Sequence, residues 1–167
     1  MFEESFELRS VAALLITNEG RYLMQHRDPH MHVSMRDMWS AFGGWIEAGE
    51  TAKEAIIREL QEEIGLITSQ VEWFFETAYS IPGGKCKPIH KTFFQVPILL
   101  EQIDDFVQKE GQGMCLFTPQ ELCATDNYVP WDMFGVLNHA LRQKTIERHK
   151  NPLNRQLGCT GLLLPKS

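Results

Sequence analysis

The chain has no paired cysteines at short spacing. Its four cysteines are Cys86, Cys115, Cys123 and Cys159. None forms a CxxC pair, which argues against a zinc ribbon or a thioredoxin-type redox motif and favours free thiols in a reducing compartment. There is no apolar run long enough to span a bilayer, and the acidic opening MFEESFELRS is no signal peptide. A cytoplasmic protein with no membrane partner is expected. Positive charge is also short: 16 Lys and Arg against 22 Asp and Glu give a net charge of −6. Stable nucleic-acid binding is therefore not expected, because it rests on basic side chains meeting phosphates. A phosphate-bearing small molecule is still allowed, since a bound cation inverts the local field. Repeats, low-complexity tracts and linkers are absent too. What is present is a globular composition, 43% hydrophobic over 167 residues. That is enough for one core, so residues 1–150 read as one domain and 151–167 as a Pro- and Gly-punctuated tail. A homodimer is left open.

LRSVAALLIT, RYLMQHR, MWSAFGGWIE, VEWFFETAYS, KTFFQVPILLEQI and the short MCLFTP read as strands. DPHMHVSMRD and IPGGKCKP read as loops. Two segments read as long helices. The first opens on a capping box, Thr51 with Glu54, carries the apolar stripe Ile56, Leu60 and Ile64, and stops at Gly65. The second covers WDMFGVLNHALRQKTIER, with Met133, Val136, Leu137, Ala140 and Leu141 on one side. Strands with helices between and after them predict an α/β fold, a mixed sheet inside an α/β/α sandwich.

The first helix raises a question. RELQEEIG places Glu59, Glu62 and Glu63 at i, i+3 and i+4, where like charges repel by roughly 0.2–0.5 kcal/mol per pair. An acidic solvated helix face is one explanation. A site for a divalent cation is the other, because carboxylate oxygens are the hard ligands that Mg²⁺ and Mn²⁺ take. On that second reading Ala52 and Ala55, on the glutamate side, leave room for a substrate phosphate.

The flanking residues bear on the choice. GWIEAGETAKEAIIRELQEEIGL, from Gly44 to Leu66, fills every specified position of GX5EX7REUXEEXGU, with U aliphatic. In this it resembles the Nudix hydrolase family. The resemblance implies the Nudix α/β/α fold and hydrolysis of a nucleoside diphosphate linked to a further group. It implies Mg²⁺ or Mn²⁺ held by Glu59, Glu62, Glu63 and the Gly44 carbonyl, with Arg58 and Glu50 as the pair that orients the carboxylates. Phe42 stands where many members have Pro. QKEGQGMCLF is similar to the KEGQ loop of the MutT-like branch, which makes Glu110 the candidate for a further metal ligand or base. Glu101, Asp104 and Asp105 compete with it. A nucleoside triphosphate, split to monophosphate and pyrophosphate, is the expected substrate. ADP-ribose or a nucleotide sugar is the alternative, hinted at by Pro82 but opposed by Lys85 and Lys87 after it. A non-catalytic nucleotide-sensing module is a third reading, and the retained acids speak against it.

Loops are expected to choose the substrate. Arg27 and Arg36 are candidates for phosphate or base contacts, and Asp126 and Asn127 for base contacts. Tyr79, Trp39, Trp45 and Phe94 are candidates for stacking. His30 and His32 read as exposed loop residues rather than a metal pair. Glu47 reads as a solvent-facing strand residue.

Overall fold

The computed structural model describes residues 8–30, 35–81 and 87–150. The predicted tail, His32, Pro82, Lys85, Cys86 and Cys159 lie outside them. Six strands form one mixed sheet: β1 (Leu8–Thr17), β2 (Tyr22–His26), β3 (Trp39–Ser40), β4 (Glu72–Tyr79), β5 (Ile89–Ile98) and β6 (Gly113–Phe117). The order is β3-β2-β1-β5-β4, and β6 also pairs with β2. β1 runs parallel to β5 in unbroken register from Leu8↔Ile89 to Thr17↔Ile98, and the other pairings are antiparallel. Three helices follow the same numbering, α1 (Ala52–Ile64), α2 (Pro119–Cys123) and α3 (Pro130–Lys150), with a 3-10 turn at Leu100–Asp105.

β1 is apolar on both sides because both sides are covered. Val11, Ala13 and Leu15 pack with Ile56, Leu60 and Ile64 of α1. Ala12 and Leu14 pack with Met133 and Val136 of α3. Period-2 alternation thus feeds two cores from one strand, as the sandwich requires. α1 begins at the capping box on Thr51 and ends at Gly65 in the left-handed conformation, φ 72°.

Four expectations need correction. MWSAFGGWIE is not one strand. Only Trp39–Ser40 pairs regularly, and after it single bridges join Phe42 to Ala13 and Trp45 to Ser10. Gly43 breaks the run at φ 134°, where a Cβ would meet the Val11 carbonyl oxygen at 2.3 Å. Ala55 leaves no room for a phosphate: it is fully buried in the α1 core, and Ala52 packs against the same cluster. Leu141 is 65% exposed, because α3 runs past the sheet from there on. His139 takes the inward position instead. Phe94 is core, 3% exposed, and cannot stack on a ligand.

Candidate active site

The acidic side of α1 lies at its C-terminal half, beside the irregular segment 42–45. Carboxylates there oppose the helix dipole, and no basic residue occupies the last turn. Arg58 offsets the charge from within the helix. Its Nε and Nη2 clasp the two Glu50 oxygens at 2.9 and 3.0 Å, and its Nη1 reaches Glu59 at 2.9 Å and Glu62 at 3.0 Å. Nη2 also donates to the Trp45 carbonyl at 3.0 Å, which ties the helix to the glycine segment. The Arg58 hydrogen bonds hold the Glu50 carboxyl below the usual carboxylate range, and Glu50 above all raises Arg58.

Glu63 differs from its neighbours. It is 4% exposed, and its Oε2 accepts the Gly43 N–H at 2.9 Å. Burial pushes its pKa up to about 8, with Glu59 and Glu110 adding repulsion against the Gly43 hydrogen bond. Burial also raises Glu59, which Arg58 partly counters. Gly44 lies against Glu59: a Cβ there would meet the carboxylate atoms at 2.3 to 2.8 Å. One lone pair of the Gly44 carbonyl takes the Val11 N–H at 2.8 Å.

Glu110 comes from far along the chain, and the backbone of its own loop delivers it. The last carbonyls of a helix have no partners within it. Here Val107 N–H donates to Ile64 O at 3.1 Å and Lys109 N–H to Glu63 O at 2.8 Å. Gln25 and Gln108 side chains donate to the Glu110 carbonyl at 3.3 and 2.7 Å. The Glu110 charge is thereby set close enough to act on both Glu59 and Glu63. Glu101, Asp104 and Asp105 belong to the 3-10 turn and exert no such effect on those two. An open cleft bordered by Glu54, Ile57, Arg58, Gln61, Glu62 and Lys109 adjoins the acids.

As the side chains stand, no three His, Cys, Asp or Glu groups among the described residues converge to hold one ion. Glu59 and Glu62 face Arg58 instead. The donor chemistry nevertheless fits a hard divalent cation. Glu110 raises the proton affinity of both Glu59 and Glu63, Glu59 adds to the rise at Glu63, and Gly44 leaves the Glu59 carboxylate free of a neighbouring side chain.

The candidate substrate residues fall in two places. Arg27, Arg36, Asp126 and Asn127 border β3. The Asn127 amide donates to the Asp37 carbonyl, and Trp39 pairs with Tyr128. Arg36 and Asp126 are exposed, while the Arg27 Nε is buried without an acceptor. Trp39 stacks on His26 at 4.6 Å, and Trp45 is 53% exposed. Glu47 is exposed as expected, and the His30 N–H donates to Asp28 in an exposed turn. Tyr79 lies apart, at the end of β4, stacked on Trp131 at 3.9 Å.

Two groups escaped the sequence reading. Asp37, at φ 57°, takes His26 Nε2 at 3.2 Å and the Gln112 amide at 2.9 Å, joining the end of β2 to the Glu110 loop. Lys91 and Asp132 form a buried ion pair at 2.5 Å. The one available sign was a charge at an inward position of an otherwise apolar strand, KTFFQVPIL.

Comparison with known proteins agrees with this geometry. A family model described as NUDIX domain matches residues 7–137. The chain is 29% identical over 124 residues to a nucleoside triphosphatase NudI of Salmonella paratyphi B, covering 71% of this chain and 87% of that one. It is 33% identical over 73 residues to an NAD-capped RNA hydrolase NudC of Chromobacterium violaceum, which is 44% of this chain but only 26% of NudC. Among solved structures, a MutT protein from Methanosarcina mazei Go1 superposes with TM-score 0.70 at 17% identity, over 84% of this chain and 98% of that one. The E. coli ORF135 protein does so with TM-score 0.61 at 26% identity, over 81% and 91%.

Proposed function

From a chain that belongs to the Nudix hydrolase family, we propose a nucleoside triphosphate pyrophosphohydrolase. Water adds to a phosphorus of the triphosphate, the bridging P–O bond breaks, and nucleoside monophosphate and pyrophosphate leave. The observation that carries this reading is the Glu110 loop. Hydrogen bonds from Val107 and Lys109 to the end of α1 set a fourth carboxylate against Glu59 and Glu63. Such acid density suits a substrate with many anionic oxygens more than a diphosphate sugar. The similarity to a nucleoside triphosphatase over most of both chains supports the same choice.

Glu59, Glu62, Glu63, Glu110 and the Gly44 carbonyl would hold Mg²⁺ or Mn²⁺, which neutralises phosphoryl oxygens and acidifies bound water. The protein's own part is positioning. Arg58 anchors the helix acids to the 44–45 segment through Glu50 and the Trp45 carbonyl. Glu63 keeps its proton at neutral pH until a positive charge arrives, so occupation of the site releases a proton.

Incubation with Mg²⁺ and a panel of nucleoside triphosphates, ADP-ribose, nucleotide sugars and dinucleoside polyphosphates tests the reading. At least one triphosphate is expected to show the highest kcat/KM, with pyrophosphate as product. A higher value on ADP-ribose or a nucleotide sugar overturns it.

A further inference from the structure

Glu110 sits between two clamps. On its N-terminal side the Val107 and Lys109 N–H groups meet the open carbonyls of α1. On its C-terminal side the ladder of β6 on β2 ends at the pair Gly113↔His26. Gln112 extends it by one step, its N–H donating to the His26 carbonyl at 2.8 Å. Gly111 adopts φ 79° there, and a Cβ on it would meet the same carbonyl oxygen at 2.5 Å. Side chains then take over from the ladder. The Gln112 amide donates to the Arg27 carbonyl at 2.8 Å and to Asp37 Oδ1 at 2.9 Å.

Asp37 comes to that amide from across β2. At this end β2 lies between β6 and β3, with His26 pairing with Gly113 on one side and Trp39 on the other. The two neighbours are thus two strand spacings apart, about 9.6 Å, and no ladder hydrogen bond joins them. Asp37 bridges the gap over the strand end. Its Oδ1 accepts from Gln112 and lies 3.2 Å from Nε2 of His26, the last residue of β2. The Asn127 amide holds the Asp37 carbonyl, and the next carbonyl, of Met38, takes the Arg27 N–H at 3.0 Å.

This placement has a cost. Asp37 holds φ 57°, a left-handed backbone that is unfavourable for a residue with a Cβ, though least so for Asn and Asp. Its side chain is 58% exposed, and exposed pairs of this kind add little to the stability of a whole chain. A costly backbone that yields little stability persists where it sets a geometry. The geometry set here is that of Gln112, two residues from Glu110. Gln25 and Gln108 fix only the Glu110 carbonyl. Among the described residues, the Asp37 side chain is the one that ties this loop to the segment before β3.

We propose that Asp37 is a positioning residue for Glu110: through Gln112 it holds the loop so that the Glu110 carboxylate stays beside Glu59 and Glu63 and joins them on a divalent ion. The inference rests on the metal-dependent hydrolase reading above and adds the residue that keeps its fourth acid in place.

The test reads metal binding apart from turnover. Mn²⁺ affinity of the metal-free protein is measured by titration calorimetry, and kcat and KM are measured on the preferred nucleoside triphosphate. Asp37→Ala is expected to weaken Mn²⁺ binding about tenfold, the lower end of what groups orienting metal ligands contribute. A similar fall in kcat is expected, with KM within about twofold, because substrate contacts are untouched. Asp37→Asn is expected to stay within about threefold of the unaltered protein, since its amide oxygen accepts and Asn tolerates the left-handed backbone. In a Glu110→Gln background, adding Asp37→Ala is expected to change either reading by less than about twofold, the mark of two residues acting as one unit. Gln112→Met cuts the same bond from its other end and decides the matter if Asp37→Ala does not fold. Unchanged Mn²⁺ affinity in Asp37→Ala and Gln112→Met overturns the inference, as does an Asn variant no better than the Ala variant. Losses from Asp37→Ala and Glu110→Gln that multiply overturn it while the hydrolase reading stands. Mn²⁺ affinities that follow the expected pattern, with no turnover of any triphosphate, support the positioning role and overturn the hydrolase reading instead.

Discussion

At the scale of single residues the site depends on what Gly44 lacks. A methyl group there would press on Glu59 at 2.3 Å. Gly44→Ala is expected to keep the fold and to lower kcat by about 10²-fold, the usual cost of misplacing one charged contact to the transition state. Steady-state kinetics beside a thermal melt checks both parts, and full activity in the Gly44→Ala variant would mean that Glu59 has no role in turnover. Glu63→Gln keeps an acceptor for the Gly43 N–H but cannot carry charge. A similar loss in kcat is expected, with the metal-free Tm unchanged or raised, since a buried acid among acids is removed. A variant that melts earlier yet turns over normally would make Glu63 a structural residue. Much of this site was readable in the sequence, because its residues sit at fixed helical spacing. Glu59, Glu62 and Glu63 share a face by periodicity, and Arg58 is fixed relative to Glu62 by one turn. The Lys91–Asp132 pair was not readable. It spans 41 positions and two elements, and no local rule joins them.

At the scale of elements, caps and stripes announced α1 at both ends, and its boundaries follow the sequence closely. β3 was overread because MWSAFGGWIE has strand composition while Gly43 bends the backbone against Val11. Ala55 was misplaced for a different reason. A helix projection gives direction but not depth, and the core reaches round to the alanines before it meets the glutamates. The long helix α3 holds two titratable groups inside, Asp132 and His139. His139 is 3% exposed, and its Nδ1 lies 2.8 Å from the Tyr22 hydroxyl of β2. Its Nε2 is 3.2 Å from Gln95 of β5, Phe74 of β4 packs edge-on at 5.0 Å, and Arg142 is the nearby charge. Burial first, and Arg142 second, lower its pKa below the ordinary 6.5. The unfolded chain therefore takes up a proton that the folded chain refuses, and the His139 contribution to stability falls as pH drops below about 6.5. Glu63, with its raised proton affinity, acts in the opposite sense over this range, so the His139 contribution is read as a difference: from pH 7 to pH 5 the urea midpoint of the unaltered protein is expected to fall relative to that of His139→Gln. An equal slope in both proteins would place the titrating group elsewhere.

At the scale of the whole molecule, the two cores are closed by the sheet, and the acids are assembled from α1 and the loop before β6. Arg58 meets Glu59, but among the described residues no cation pairs with Glu63 or Glu110. Chelation is expected to abolish hydrolysis, and Mg²⁺ or Mn²⁺ to restore it. Either ion is also expected to raise Tm in step with its concentration over Kd, since it binds only the folded chain. Full turnover in excess chelator would sink the metal reading. The fold class was legible from the alternation of strands and helices, whereas the strand order was not, because pairing of β1 with β5 leaves no local trace.

That pairing has a consequence for how the protein is made. β1 meets its parallel partner only at Ile89, with Leu8 as its mate. Both faces of β1 carry apolar side chains, and one whole edge stays open until the partner strand arrives. At about 5–20 residues per second of synthesis, that interval is several seconds long. During it VAALLI is an unpaired, sticky strand on a nascent chain. β1 is therefore made well before it is satisfied, and a ribosome pausing before Ile98 is added would leave the aggregation-prone strand exposed for as long as the pause lasts.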